Sequence, residues 1–270
     1  MDIPRSRHAV PPLVSVLVPV ARVDDHLFVA IDSLLRQTLR AVEVVVVLDG
    51  TGAASDLPDD PRITVHRFPV RRGTPAALNH GLAMARADLI ARLDADDVAE
   101  PDRLERQVRV LAARPELLGI GSAVALVDDL GRDLGVLDVP LGDDAVRRLL
   151  TRNVFVHSTM LVRRSALESV GGYDVRCRRM QDYDLWLRLG MTGPLANMPD
   201  RLTKYRVHDG QHSRRTSPFG RSARTVRRSR RRLARHLGEP LLNQLARDAV
   251  WTAAQIVRHA GLRAPRYLRR

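Results

Sequence analysis

Apolar runs and helical stripes alternate along the first half of the chain. Leu13-Val-Ser-Val-Leu-Val18 is a short, nearly continuous apolar run ended by Pro19, which predicts a strand buried on both faces. Leu27, Ile31, Leu34 and Leu35 then recur at helical spacing, predicting an amphipathic helix over residues 24–39 that starts near Asp24. Val42–Leu48 is rich in β-branched residues and stops at Asp49-Gly50, a second buried strand, and Ile63–His66 is a short third one. Pro75–Arg86 reads as an alanine-rich helix with proline near its first turn. Leu89–Leu93 is a strand running into Asp94-Ala-Asp-Asp97, and Pro101–Ala113 is a helix with Leu104, Val108 and Leu111 on one face.

This β-α-β-β-α-β-α alternation predicts an α/β fold, a mostly parallel sheet flanked by helices. Ligands in such sheets sit beyond the C-terminal strand ends. The residues there are Pro19, Asp49, Asp94, Asp96 and Asp97.

The second half is more mixed. Ile120–Val127, Ser158–Arg163 and Leu202–Val207 read as strands. Asp182–Leu189 reads as a short helix with Leu185, Trp186 and Leu189 inward. Two helices follow, over 221–237 and 241–260. The second carries Leu242, Leu245, Ala249, Ala253 and Ile256 along one stripe.

Charge changes the picture of the C-terminal part. Residues 1–200 hold 25 arginines against 28 acidic residues, whereas residues 201–270 hold 19 lysines plus arginines against three acidic residues. The first part is therefore no basic nucleic-acid binder; only the tail has that character. With a single lysine, Lys204, the arginine skew points to genome composition and lowers the weight of any one arginine. One cysteine, Cys177, excludes an intramolecular disulfide and a cysteine-rich zinc site. The first twelve residues lack an apolar segment of signal-peptide type, and no apolar run approaches the roughly 20 residues of a spanning helix. A cytoplasmic protein is expected.

The candidate chemistry centres on Asp94 and Asp96. Residues two apart at an extended strand end project to one side. Two carboxylates there suit a hard cation, Mg²⁺ or Mn²⁺, which keeps open positions for phosphate oxygens. A surface turn rich in aspartate gives the same spacing without a ligand.

The pattern around the aspartates resembles glycosyltransferase family 2, with the GT-A nucleotide-diphospho-sugar transferase fold. It consists of Val14-Ser-Val-Leu-Val-Pro19, Ala30-Ile-Asp-Ser-Leu-Leu-Arg-Gln-Thr38, Val44-Val-Val-Val-Leu-Asp-Gly50 and Gly73-Thr-Pro-Ala-Ala-Leu-Asn-His-Gly81. Ala87-Asp-Leu-Ile-Ala-Arg-Leu-Asp-Ala-Asp-Asp97, Gly171-Gly-Tyr-Asp174, Gln181-Asp-Tyr-Asp-Leu-Trp-Leu-Arg188 and Tyr205-Arg-Val-His208 complete it. Order and spacing agree over about 13–212. The resemblance implies a transferase domain over 1–212, with a nucleotide-binding half at about 13–115 and an acceptor and catalytic half at about 116–212. Residues 213–270 form a basic helical extension outside it.

By the same resemblance, Pro19 lines the nucleotide pocket, Asp49 hydrogen-bonds the base, Gly73 allows close backbone approach, and Asn79 lies behind it. Asp94 and Asp96 contact the metal and the ribose or diphosphate, His208 closes over the diphosphate or metal, and Asp182 is the catalytic base. Leu48 stands where relatives usually carry a second carboxylate, and Gln181 where many carry glutamate. The implied activity is inverting, metal-dependent transfer from a nucleotide-sugar, UDP-sugar first, to a saccharide or lipid-linked hydroxyl acceptor in cell-envelope synthesis. Such transfer needs a carboxylate to take the acceptor proton and a cation to neutralise the leaving diphosphate. These come from separate stretches of the chain.

Other readings compete. Asp182 could merely cap a helix, Asp184 could be the base, and Trp186 could be core or a sugar platform. His157 could be an ordinary buried histidine or a substrate contact. A sugar nucleotidyltransferase would need a glycine-rich phosphate loop after the first strand, where Pro19-Val-Ala-Arg22 stands instead. A non-catalytic nucleotide-binding protein with a basic tail would be expected to lose the aspartates. The arginines of 214–237 predict peripheral attachment to anionic lipid at the inner face of the membrane, against the alternative of a merely solvated helix. Val226, Leu233 and Leu237 give that segment only a thin apolar stripe.

Overall fold

The computed structural model describes residues 11–51, 57–142, 144–208 and 217–260. Arg214 and Arg215, His212 and the expected boundary near 212 lie outside them. The first half runs β1 (Val14–Val20), α1 (Asp25–Leu35), β2 (Val42–Asp49), β3 (Ile63–Phe68), α2 (Thr74–Met84), β4 (Leu89–Arg92), the two-residue β5 (Val98–Ala99) and α3 (Arg103–Ala113). The second half runs β6 (Gly119–Val127), β7 (Asp133–Leu137), α4 (Ala145–Arg148), a 3₁₀ turn (His157–Thr159), β8 (Leu161–Arg163), α5 (Arg164–Ser169), α6 (Gln181–Leu189), β9 (Leu195–Arg206), α7 (Arg221–His236) and α8 (Leu241–His259).

One sheet carries the order β3-β2-β1-β4-β8-β6-β9-β5, with β7 on β6. β1, β2, β3 and β4 pair in parallel; β8 then enters antiparallel to both β4 and β6. The apolar runs of β1 and β2 are buried nearly throughout, as a sheet covered on both faces requires. Inside that layer Glu43 accepts from Ser15 Oγ at 2.5 Å and from the Arg86 backbone N–H at 2.6 Å, so its carboxylate is not stranded. Asp24 caps α1 by accepting from His26 N–H at 3.2 Å.

One expectation changes. The stretch 158–163 opens as a 3₁₀ turn and only then becomes a strand, because Ser158 and Thr159 turn inward to hydrogen-bond backbone. The helical extension packs on the fold: Val226 and Leu233 of α7 are fully buried in one cluster with Leu17, Trp186 and Leu189. Burying each contributes about 1.5–3 kcal/mol. The apolar stripe of α8 faces outward. Gln244, Asp248, Trp251 and Gln255 turn inward, leaving Leu242 79% and Ile256 43% exposed. Among the described residues, no helix is long and apolar enough to cross a membrane.

Candidate active site

Asp94 lies two residues past the end of β4, and its backbone N–H donates to Ser158 Oγ at 2.9 Å. The 3₁₀ turn thus fixes the carboxylate-bearing loop from the second half of the chain. Asp97 N–H donates to Asp94 O at 3.2 Å, closing the loop into a tight turn. One carboxylate oxygen from each of Asp94, Asp96 and Asp97 lies within 4.8 Å of the others.

The three have different partners. Asp94 pairs with the buried Arg92 guanidinium. Asp96 Oδ2 lies 2.9 Å from His208 Nε2, carried in by the end of β9. Asp97 is almost fully buried and accepts from the Arg206 backbone N–H at 2.8 Å, while its Oδ2 has no hydrogen-bond partner. Burial and the neighbouring carboxylates raise Asp96 above the usual carboxylate range, and Asp97 well above it. Such crowded oxygen donors fit a hard divalent cation, which would relieve the repulsion. Asp97 was not expected in the set. His208 was, and it stands against Asp96 rather than among the three clustered oxygens.

Asp182 occupies the second position of α6. The helix is entered through Met180, whose φ of 54° is left-handed and carries no capping side chain. A bulky residue in that region costs about 1–2 kcal/mol. Asp182 is therefore not the N-cap residue, although its carboxylate accepts from the first-turn backbone N–H of Tyr183. Its Oδ2 accepts from Asn153 Nδ2 at 2.7 Å. Burial raises its pKa, while the Arg92 charge and the Asn153 bond act the other way. Arg92 thus acts electrostatically on both Asp94 and Asp182. Asp184 is buried and engaged: Oδ1 accepts from Ser229 Oγ at 2.6 Å and Oδ2 from Arg188 Nε at 2.8 Å. It ties α6 to α7. Trp186 is core.

The nucleotide-side residues take unexpected partners. Asp49 is buried, and its two oxygens accept from the N–H groups of Arg72 and Gly73 at 2.6 and 2.8 Å. These bonds shape the loop into α2. Gly73 is the helix N-cap with φ 96°, which its lack of a Cβ permits. Pro19 is half-buried opposite Val47 near the end of β1. Asn79 is engaged by the backbone of a distant loop. Its Nδ2 donates to Tyr173 O and its Oδ1 accepts from Tyr173 N–H, both at 2.8 Å, so its amide clasps the Gly171-Gly172-Tyr173 loop. Tyr173 Oη lies 2.8 Å from Nε2 of buried His157, a satisfied core histidine. Beside α6 an open cavity between residues 175–179 and the start of α7 is lined by Arg176, Arg178, Arg179 and Arg221.

Asn153, Arg92, Arg206 and Tyr173 are the residues the sequence did not single out. Arg92, Tyr173 and Arg206 lie inside quoted family segments, which was the available signal. Asn153 lies in an unpatterned stretch and offered none.

The Glycosyl transferase family 2 profile matches residues 15–171. The amylovoran biosynthesis glycosyltransferase AmsE of Erwinia amylovora is 33% identical over 189 residues, 66% of this chain and 69% of its own. The O-antigen biosynthesis glycosyltransferase WbnJ of Escherichia coli is 28% identical over 209 residues, 73% of this chain and 80% of its own. The structure of S. aureus TarS 1–349 in complex with UDP-GlcNAc superposes with TM-score 0.63 at 17% identity, covering 92% of this chain and 72% of that one. That likeness shows the GT-A fold. With a profile spanning more than half its length and a relative 33% identical over 69% of that relative's length, the chain belongs to glycosyl transferase family 2 and is a glycosyltransferase.

Proposed function

We propose that the protein is an inverting, metal-dependent glycosyltransferase that moves a sugar from a nucleotide-diphospho-sugar to a hydroxyl of a cell-envelope saccharide or glycolipid. The observation that carries this reading is the placement of two carboxylate sites under one buried cation. Asp94, Asp96 and Asp97 crowd at the end of β4, Asp182 stands at the head of α6, and Arg92 acts on both. Residues 13–115 serve the donor and residues 116–212 the acceptor.

Asp94 and Asp96 would hold Mn²⁺ or Mg²⁺, with His208 beside Asp96. When bound, that ion neutralises the diphosphate leaving group. Asp182 takes the acceptor proton. Its raised pKa places it closer to the hydroxyl it must deprotonate than an exposed aspartate would be. The arginines by the 175–179 cavity favour an acceptor that bears negative charge. UDP is the first choice of nucleotide, by analogy with TarS bound to UDP-GlcNAc. An envelope polysaccharide is the first choice of product, by analogy with the amylovoran and O-antigen relatives. The exposed arginines of α7 would hold the protein at the inner membrane face.

Calorimetry with UDP and GDP, with and without Mn²⁺, tests the donor assignment. UDP binding strengthened by Mn²⁺ in the wild type and not in Asp96→Ala is the expected result. Equal Mn²⁺-enhanced binding by both proteins would move the metal site elsewhere. A thermal-shift screen of nucleotide-sugars then names the donor.

A further inference from the structure

α8 is built inside out. Its four inward residues are Gln244, Asp248, Trp251 and Gln255. Gln244 Nε2 donates to Asp248 Oδ1 at 2.9 Å, Arg231 Nε donates to Asp248 Oδ2 at 2.8 Å, and the buried Arg230 lies over the Trp251 ring at 5.2 Å. A polar network therefore docks α8 onto α7. The outward face holds Leu242, Leu245, Ala249, Val250, Ala253 and Ile256, all exposed. On a 3.6-residue helix these six fall within an arc of about 140° opposite the buried four. No charged residue of α8 falls inside that arc. The helix is about 28 Å long. A face this apolar is ordinarily the one that becomes buried.

We propose that this outward face of α8 lies in the interfacial layer of an anionic membrane, parallel to its surface. The argument for lipid over a second copy of the chain is charge. Residues 201–270 carry 19 basic against three acidic residues, and Arg224, Arg228, Arg231, Arg232 and Arg235 are exposed on the adjoining α7. The Arg231–Asp248 pair holds that basic helix against α8. Self-association through α8 would bring two such strongly positive regions together, whereas anionic headgroups supply the opposite charge. Interfacial helices sink an apolar face about 5–10 Å while basic side chains stay at the headgroups. This rests on the membrane attachment proposed above and adds to it a contact that salt does not screen.

The test uses the full chain with vesicles of phosphatidylcholine alone and of phosphatidylcholine with one-quarter phosphatidylglycerol, at low and high salt. The variants are Leu242→Ser/Val250→Ser/Ile256→Ser and Arg228→Gln/Arg232→Gln/Arg235→Gln, each checked by melting and UDP binding. The serine variant should partition at least tenfold less onto phosphatidylglycerol vesicles and lose its salt-resistant fraction. The glutamine variant should lose low-salt binding and keep the salt-resistant part. In addition, Val250→Trp should shift its emission to the blue with these vesicles. A serine variant that binds like wild type, a tryptophan without a shift, or a wild-type dimer that the serines dissociate would overturn the assignment. If the glutamine variant binds like wild type while the serine variant does not, charge attachment fails and the apolar contact stands. Absence of all vesicle binding by wild type removes both.

Discussion

Asn153 donates its side-chain N–H to Asp182 Oδ2 across 2.7 Å, from the segment ahead of the 3₁₀ turn to the first turn of α6. The bond favours the charged carboxylate, opposing the burial that raises its pKa. A base works deprotonated, so activity falls as pH drops through that raised value. Asn153→Ala should move the acidic limb of the kcat/KM profile to higher pH and leave the alkaline side in place. Asp182→Asn should lower kcat about 10²–10⁴-fold with UDP affinity kept. An unmoved acidic limb in Asn153→Ala would show that this pair does not set the base.

Asp184, two residues on, should behave in the opposite manner. Its oxygens join Ser229 and Arg188, so Asp184→Asn removes a buried charge from its partners. We expect a loss of about 1–3 kcal/mol in urea unfolding with kcat little changed at temperatures where the variant is folded. A large kcat loss without destabilisation would transfer the base role to Asp184.

The neighbouring glycines of the 171–173 loop separate two costs. Gly171 has φ +76° with open space around its missing Cβ, whereas at Gly172, with φ +65°, a Cβ would sit 2.6 Å from Asn79 Oδ1. Gly171→Ala should cost only the left-handed conformation, about 1–2 kcal/mol. Gly172→Ala should cost clearly more, because it also displaces the Asn79 clasp on Tyr173. Equal melting temperatures for the two variants would show that the clasp has no energetic weight.

His157 is held neutral, with burial as the main cause and the Arg92 charge adding to it. Its folded pKa lies well below the unfolded value. Stability is then fully present above about pH 6.5 and is lost as pH falls, because the unfolded chain takes up the proton first. The slope approaches about 1.4 kcal/mol per pH unit. His157→Gln should flatten unfolding free energy over that acidic range. An unchanged slope would assign the acid sensitivity to other groups.

Much of the donor half is legible in the sequence because its elements are local. Val44–Val47 can only be a covered strand, and Asp94 marks the exit from β4. The partners of Asp49 and Asn79 are not legible, since they lie 23 and 94 residues away. Asn153 is set against Asp182 by tertiary packing alone. In α8 the 3.6-residue period is correctly visible but says nothing about which face meets the protein. Gln244 and Asp248 go inward because Arg230 and Arg231 meet them there, a fact about α7 rather than about α8.

The burial of α7 ties the basic tail into the main apolar core despite the abrupt change of charge near residue 200. Val226 and Leu233 complete the same apolar cluster that holds Leu17 of β1 and Trp186 of α6, and Ser229 satisfies Asp184. A polypeptide stopped after β9 would be left with an open apolar wall and with Asp184 Oδ1, beside the proposed base, stripped of its Ser229 partner while Arg188 still holds Oδ2. Deleting the arginines by truncation would therefore unfold the catalyst, and only side-chain replacement on the intact chain can separate its electrostatics from its folding.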